Sequence, residues 1–171
     1  DGFPKFFSTQ VLPQEQAAGV DKKPGWLTEI GFSLRRDEQG GLKKAEREQA
    51  VYLTKAYAEG FSAGYERVFF FFFRELIESN FHNWGILRTD YSPRPAYSAL
   101  AALTRHIAGK KFVAVSRRGS SRSMFWEGND GSYLAIAWGS GLAHELLGSF
   151  IAVKDVFGRP IRQRPNDIRL G

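Results

Sequence analysis

The stretch KPGWLTEIGFS, Lys23 to Ser33, sets a single carboxylate, Glu29, between a short apolar run and a glycine. A glutamate at the end of an apolar strand can act as a nucleophile or as a general acid or base. The same placement also suits an ordinary solvated strand end. Other chemistries lack their residues. His82, His106 and His144 are scattered, with none at the i, i+4 spacing that builds a zinc site on a helix. Ser140 lies in WGSGLA, which lacks the Gly-x-Ser-x-Gly spacing of a nucleophile elbow and reads as a turn. No Gly-x-Gly-x-x-Gly or Walker sequence is present, and there is no cysteine. Neither a metal nor a cofactor is expected, and no disulfide or thiolate site is possible.

The elements that must hold Glu29 follow from the apolar spacing. Trp26 to Ile30 reads as a buried strand, and Ala45 to Gly64 as a helix with Ala50, Leu53, Tyr57, Phe61 and Gly64 on one face. The run RVFFFFFREL keeps Val68 to Phe73 continuously apolar, as expected of a parallel strand covered on both faces. A second helix starts at Pro95, carries Ala96, Ala99, Leu100, Leu103 and Ile107 at helical spacing, and stops at Gly109. Two β/α units result. The segment up to Gly19 is less regular and reads as the end of a helix leading into the first strand.

Beyond Gly109 the pattern changes to short strands: Phe112 to Ser116, Ser123 to Trp126, Tyr133 to Trp138 and Phe150 to Val153. GNDGS and DVFGRP supply the reversals between them. The expected organisation is therefore residues 1–109 as one unit and 110–171 as a small antiparallel β module. The 171 residues are 43% hydrophobic and 25% charged, with no apolar run long enough to span a bilayer, so no membrane insertion is expected. The net charge of +6 and pI near 9.7 rest on clusters such as Arg117, Arg118 and Arg122, and Arg159, Arg162, Arg164 and Arg169. No recognition motif accompanies them. They read as a solvated basic face, and no nucleic-acid partner is expected. The start at Asp1 without a basic, apolar leader reads as an excised or truncated piece. The absence of cysteine suits an extracellular or periplasmic location.

Two parallel strands cannot form a stable sheet alone, because each exposes an unpaired edge and neither face is fully covered. A strand-helix-strand-helix series with a carboxylate at a strand's carboxyl end fits the last quarter of a (β/α)8 barrel. Here the residues carry a resemblance. KPGWLTEIGFS resembles the seventh-strand segment of clan A glycoside hydrolases. GYERVFFFFFRELIESNFHNWGILRTDYSPRPAYSAL, Gly64 to Leu100, is similar to the eighth strand, its loop and the final helix of family 39-like members. The most distinctive part is Trp84-Gly85-Ile86-Leu87, then Asp90, then Pro93-Arg94-Pro95-Ala96-Tyr97. MFWEGNDGSYLAIAW and VKDVFGRPI resemble the β-sandwich that often follows such barrels.

The resemblance implies a retaining glycoside hydrolase acting on an oligo- or polysaccharide, with Glu29 as the nucleophile. Retaining enzymes need two carboxyl groups about 5–5.5 Å apart. In this clan the acid/base usually follows an asparagine on an earlier strand, and the chain contains no Asn-Glu dipeptide. The second carboxyl is therefore expected in sequence outside this chain, and the chain alone is expected to be inactive. Sugar rings stack on flat aromatic faces, and the clan commonly places a tryptophan at the end of the eighth strand. Phenylalanine stands there instead, and strand alternation allows at most Phe71 and Phe73 to reach substrate. Arg74 and Glu75 are placed to contact sugar hydroxyls, or each other and solvent. The rival expectation is a non-catalytic carbohydrate-binding or cell-surface protein that keeps a degenerate barrel.

Overall fold

Pro95, preceded by an extended Arg94 (φ −84°, ψ 161°), opens a helix that Gly109, at φ 71°, brings to a stop. These features were legible in advance, and they recur along the chain. The structure, a computed structural model, describes residues 7–21, 23–34, 41–77, 83–141, 151–163 and 167–170. A π-helical turn, Phe7–Val11, runs into α1, Leu12–Ala17. Then come β1 (Gly25–Ile30), α2 (Gly41–Ser62), β2 (Tyr65–Phe70) and α3 (Pro95–Ile107). Three strands close the series: β3 (Lys110–Arg118), β4 (Ser121–Gly128) and β5 (Tyr133–Trp138). The expected start of α2 at Ala45 is four residues late, because the helix-forming Leu42, Lys43 and Lys44 extend it ahead of its apolar stripe. Among the described residues no helix is long and apolar enough to cross a membrane.

β1 and β2 pair in parallel, and α2 and α3 pack on one face of the pair. Ile30, Ala50, Leu53, Ala56, Tyr57, Ile86, Ala96, Ala99 and Leu103 form the buried core there, with Leu27, Val68 and Phe70 against it. Each fully buried leucine of this kind contributes about 1.5–3 kcal/mol. The helix comes so close to the sheet at Gly60 that a Cβ there would lie 2.8 Å from the Val68 side chain.

Two expectations for the phenylalanine run are corrected. The strand ends at Phe70 rather than Phe73, and only one of its faces is covered. Phe69, Phe71 and Phe73 are exposed, at 43%, 43% and 59%. The described residues supply a covering layer only on the helix side.

The second sheet is antiparallel, in the order β3-β4-β5. Gly131 at φ 74° makes the GNDGS reversal, with its N–H donating to the Gly128 carbonyl. The sheet lays Met124 and Trp126 of β4 against Ala58 of α2, so α2 serves two cores. Of the expected strand from Phe150 to Val153, Phe150 lies outside the described residues and Ile151 to Val153 form no strand, although the Val153 carbonyl accepts from the Ile161 N–H at 2.9 Å beside an isolated Lys154–Pro160 bridge. A second sheet layer, as a sandwich requires, is therefore not seen among the described residues. The DVFGRP reversal is present, with Asp155 accepting from the Phe157 and Arg159 N–H groups.

The helix–sheet interface also buries charge. Arg122 of β4 lies 2.7 Å from Glu59 of α2, whose residue is only 4% exposed. Burial pushes the Glu59 carboxyl up to about 6 from 4.5, outweighing the opposing pull of Arg122 and Arg117. Arg122 Nε and the Ser123 hydroxyl have no hydrogen-bond partner among the described residues, in keeping with an interface where desolvation wins. A carboxyl raised on folding binds its proton more tightly in the folded state. Its contribution to stability is complete below about pH 4.5 and is lost as pH rises through about 6. Thermal melts from pH 4 to 7 should therefore show the native protein losing stability relative to Glu59→Gln across that window. A relative gain with rising pH would contradict the burial argument.

Candidate active site

Glu29 owes its direction to an irregularity in the β1–β2 ladder. Leu27 pairs with Val68 and Ile30 with Phe70, so Thr28 and Glu29 together stand opposite Phe69. Regular alternation would aim Glu29 with Leu27 toward α2. The extra residue turns both Thr28 and Glu29 to the exposed side and returns Ile30 to the core. Bulges re-aim side chains in this way. No hydrogen bond or ion pair engages the Glu29 carboxylate among the described residues, which leaves it open to an incoming group.

The carboxyl ends of β1 and β2 stay together past the strands. The Phe71 N–H donates to the Ile30 carbonyl at 2.8 Å, and the Phe71–Phe72 peptide is cis. A Cβ on Gly31 would lie 2.5 Å from the Phe71 carbonyl oxygen and 3.0 Å from the Trp84 ring, so only glycine fits there. Trp84 in turn meets Phe71 edge-on at 6.3 Å. Glu29 and Phe71 are thus brought to adjacent strand ends. Phe73 goes elsewhere: its ring is 6.3 Å from Tyr97 in the first turn of α3, and its carbonyl accepts from the Ile86 and Leu87 N–H groups.

Behind these strand ends is a buried polar network that spacing alone did not reveal. Arg94 is 1% exposed. Its Nε lies 3.4 Å from Glu46 of α2, and its Nη1 lies 3.7 Å from Glu75 while donating to the Gly85 carbonyl at 2.7 Å. Glu75 also accepts the Gly85 N–H at 2.9 Å. Arg88 reaches Glu46 at 2.6 Å. Gln49, fully buried on α2, donates to the Trp84 and Phe32 carbonyls at 3.1 and 3.3 Å. Glu75 is therefore a structural anchor rather than a contact for sugar or solvent. Arg74 stacks over Tyr91 at 4.1 Å and donates to the Thr89 carbonyl, so it does not pair with Glu75. The available signal was polar residues interrupting the apolar stripe of α2 at positions 46 and 49, and an arginine set between two prolines at a helix start.

Of the other residues considered, Ser140 lies at a bend and accepts, through its carbonyl, from Ser121. His106 is on α3, while His82 and His144 lie outside the described residues.

The chain is similar to a solved family 39 glycoside hydrolase from the gut symbiont Bacteroides cellulosilyticus WH2. The TM-score is 0.56 and the identity 27%, over 70% of this chain and 24% of that one. The chain thus spans 24% of that protein's length. No family profile and no curated protein sequence matches it. The likeness supports a glycoside-hydrolase kind of protein, similar to family 39.

Arg94 makes a testable demand. Replacing it by methionine leaves Glu46 and Glu75 buried without its charge, and removal of one partner from such a cluster costs about 3–5 kcal/mol. Denaturant unfolding of Arg94→Met should show a loss of that order. A change within about 0.5 kcal/mol, as for an ordinary surface position, would contradict the role assigned to the network.

Proposed function

We propose that the chain is the C-terminal part of a retaining glycoside hydrolase that cleaves O-glycosidic bonds in an oligo- or polysaccharide. Residues 1–109 supply the last two β/α units of a (β/α)8 barrel, and residues 110–171 form an all-β accessory module. One observation carries this reading: an exposed carboxylate at the carboxyl end of a parallel strand, in a chain 27% identical to a family 39 glycoside hydrolase. The uncovered face of β1 and β2 supports the barrel. Trp26 and Phe69 meet on it at 6.0 Å and are 55% and 43% exposed, a surface that further strands would cover.

In this mechanism the ionised Glu29 attacks the anomeric carbon and forms a covalent glycosyl-enzyme. A second carboxyl about 5–5.5 Å away protonates the departing oxygen, then takes a proton from the water that releases the sugar. That acid/base is supplied by an earlier strand of a longer protein. Phe71, beside the strand end, stacks against the ring being cleaved, and Phe73 extends the aromatic surface toward Tyr97. The partner is carbohydrate, with neither cofactor nor nucleic acid taking part.

Glu29→Gln in the full-length protein keeps the shape of the side chain and removes the attacking charge. Turnover should fall by roughly 10³ to 10⁵, about 4–7 kcal/mol of transition-state stabilisation, while substrate binding survives. Full activity in this variant would leave Glu29 as an ordinary strand-end residue.

A further inference from the structure

The loop between Leu87 and Arg94 holds a tyrosine in a conformation that tyrosine disfavours. Tyr91 has φ 66°, in the left-handed region where glycine or asparagine is at ease and a bulky side chain costs about 1–3 kcal/mol. Burial does not offset that cost, because Tyr91 is 64% exposed.

The loop is nevertheless held firmly. The Arg88 N–H donates to the Ser92 carbonyl at 3.0 Å, and the Tyr91 N–H donates back to the Arg88 carbonyl at 3.0 Å. Asp90 accepts from the Ser92 hydroxyl and, at 2.9 Å, from the Ser92 N–H, and these bonds, the hydroxyl's foremost, hold its carboxyl below the usual range. The Arg88 guanidinium donates to the Pro93 carbonyl at 2.9 Å and reaches back to the buried Glu46. Behind the ring, the Arg74 guanidinium lies 4.1 Å from its centre while donating to the Thr89 carbonyl at 2.9 Å. With one face covered by Arg74, the exposure of Tyr91 belongs to its other face and its edges.

A flat ring, clamped from behind on a rigid loop, is a preorganised stacking surface. It follows β2 in the chain and precedes α3, so it stands at the same end of the parallel strands as Glu29. We propose that Tyr91 is a stacking platform for a pyranose ring of the bound glycan beyond the ring that Glu29 attacks, with Arg74 as its positioning residue. The ligand class rests on the glycosidase reading. The platform suits β-linked pyranosides whose axial C–H groups at C1, C3 and C5 form an apolar face able to lie on the exposed side of the tyrosine.

The test uses the full-length protein carrying Glu29→Gln and titrates β-linked hexasaccharides of glucose, xylose and mannose by calorimetry. Tyr91→Asn, which relieves the backbone, should weaken binding of the preferred hexasaccharide about 5- to 20-fold. Its melting temperature should hold or rise. Tyr91→Phe, which keeps the flat face, should restore binding. Equal affinity in Tyr91→Asn would overturn the proposal. So would a marked fall in its melting temperature, which would make the ring a structural brace, or a wild-type chain that binds none of the three sugars. Failure of the nucleophile reading shows separately: hydrolysis would then persist in the Glu29→Gln background while Tyr91→Asn still weakened binding.

Discussion

The buried guanidinium of Arg94 is the constraint around which the strand ends are organised. A charge at 1% exposure is tolerated only when its partners are close, and its partners come from different parts of the chain: Glu46 on α2, Glu75 after β2, and the Gly85 carbonyl in the loop before α3. Satisfying one group therefore fixes the helix, the loop and the start of α3 together. Glu75 reinforces this by accepting the Gly85 N–H, and Gln49 adds its bonds to the carbonyls of Phe32 and Trp84. The network has little to do with binding a ligand. It sets the positions of the residues that would.

From that frame the site follows by short steps. Trp84, adjacent to Gly85, is held against Gly31 and Phe71, and this contact keeps the ends of β1 and β2 in register. The ladder irregularity at Thr28–Glu29 then presents the carboxylate on the face away from the helices. Function in the proposed mechanism depends on this geometry, since a glutamate aimed with Leu27 would lie beneath α2, out of reach of any substrate. The same loop that the network ties down carries Tyr91 outward, so fold stability and the rim of the proposed cleft depend on shared bonds.

Some of this was legible in the sequence, and the reasons are local. Pro95 and Gly109 mark the ends of α3, and Gly131 and Gly158 mark reversals, because each of these residues has a backbone preference that needs no tertiary context. The parity of the phenylalanine run was not legible, because a continuous apolar string looks the same from both faces. Only the packing of Val68 and Phe70 on the helices separates them from Phe69, Phe71 and Phe73. The ladder irregularity at Glu29 was equally hidden, being a relation between two strands. Glu46 and Arg94 lie 48 positions apart in the sequence, and no spacing rule joins them. The expected strand at Phe150 to Val153 shows the opposite case: over its described part, a β-prone segment is reduced to one backbone bond, from the Ile161 N–H to the Val153 carbonyl, and forms no strand.

The central claim is that Glu29 forms the covalent bond to sugar. A slow-turnover 2-fluoro glycoside of the right sugar, incubated with the full-length protein and followed by peptide mass spectrometry, addresses it directly. The account predicts one added glycosyl mass, on the peptide that contains Glu29 and on no other. A label on a different carboxylate would contradict it.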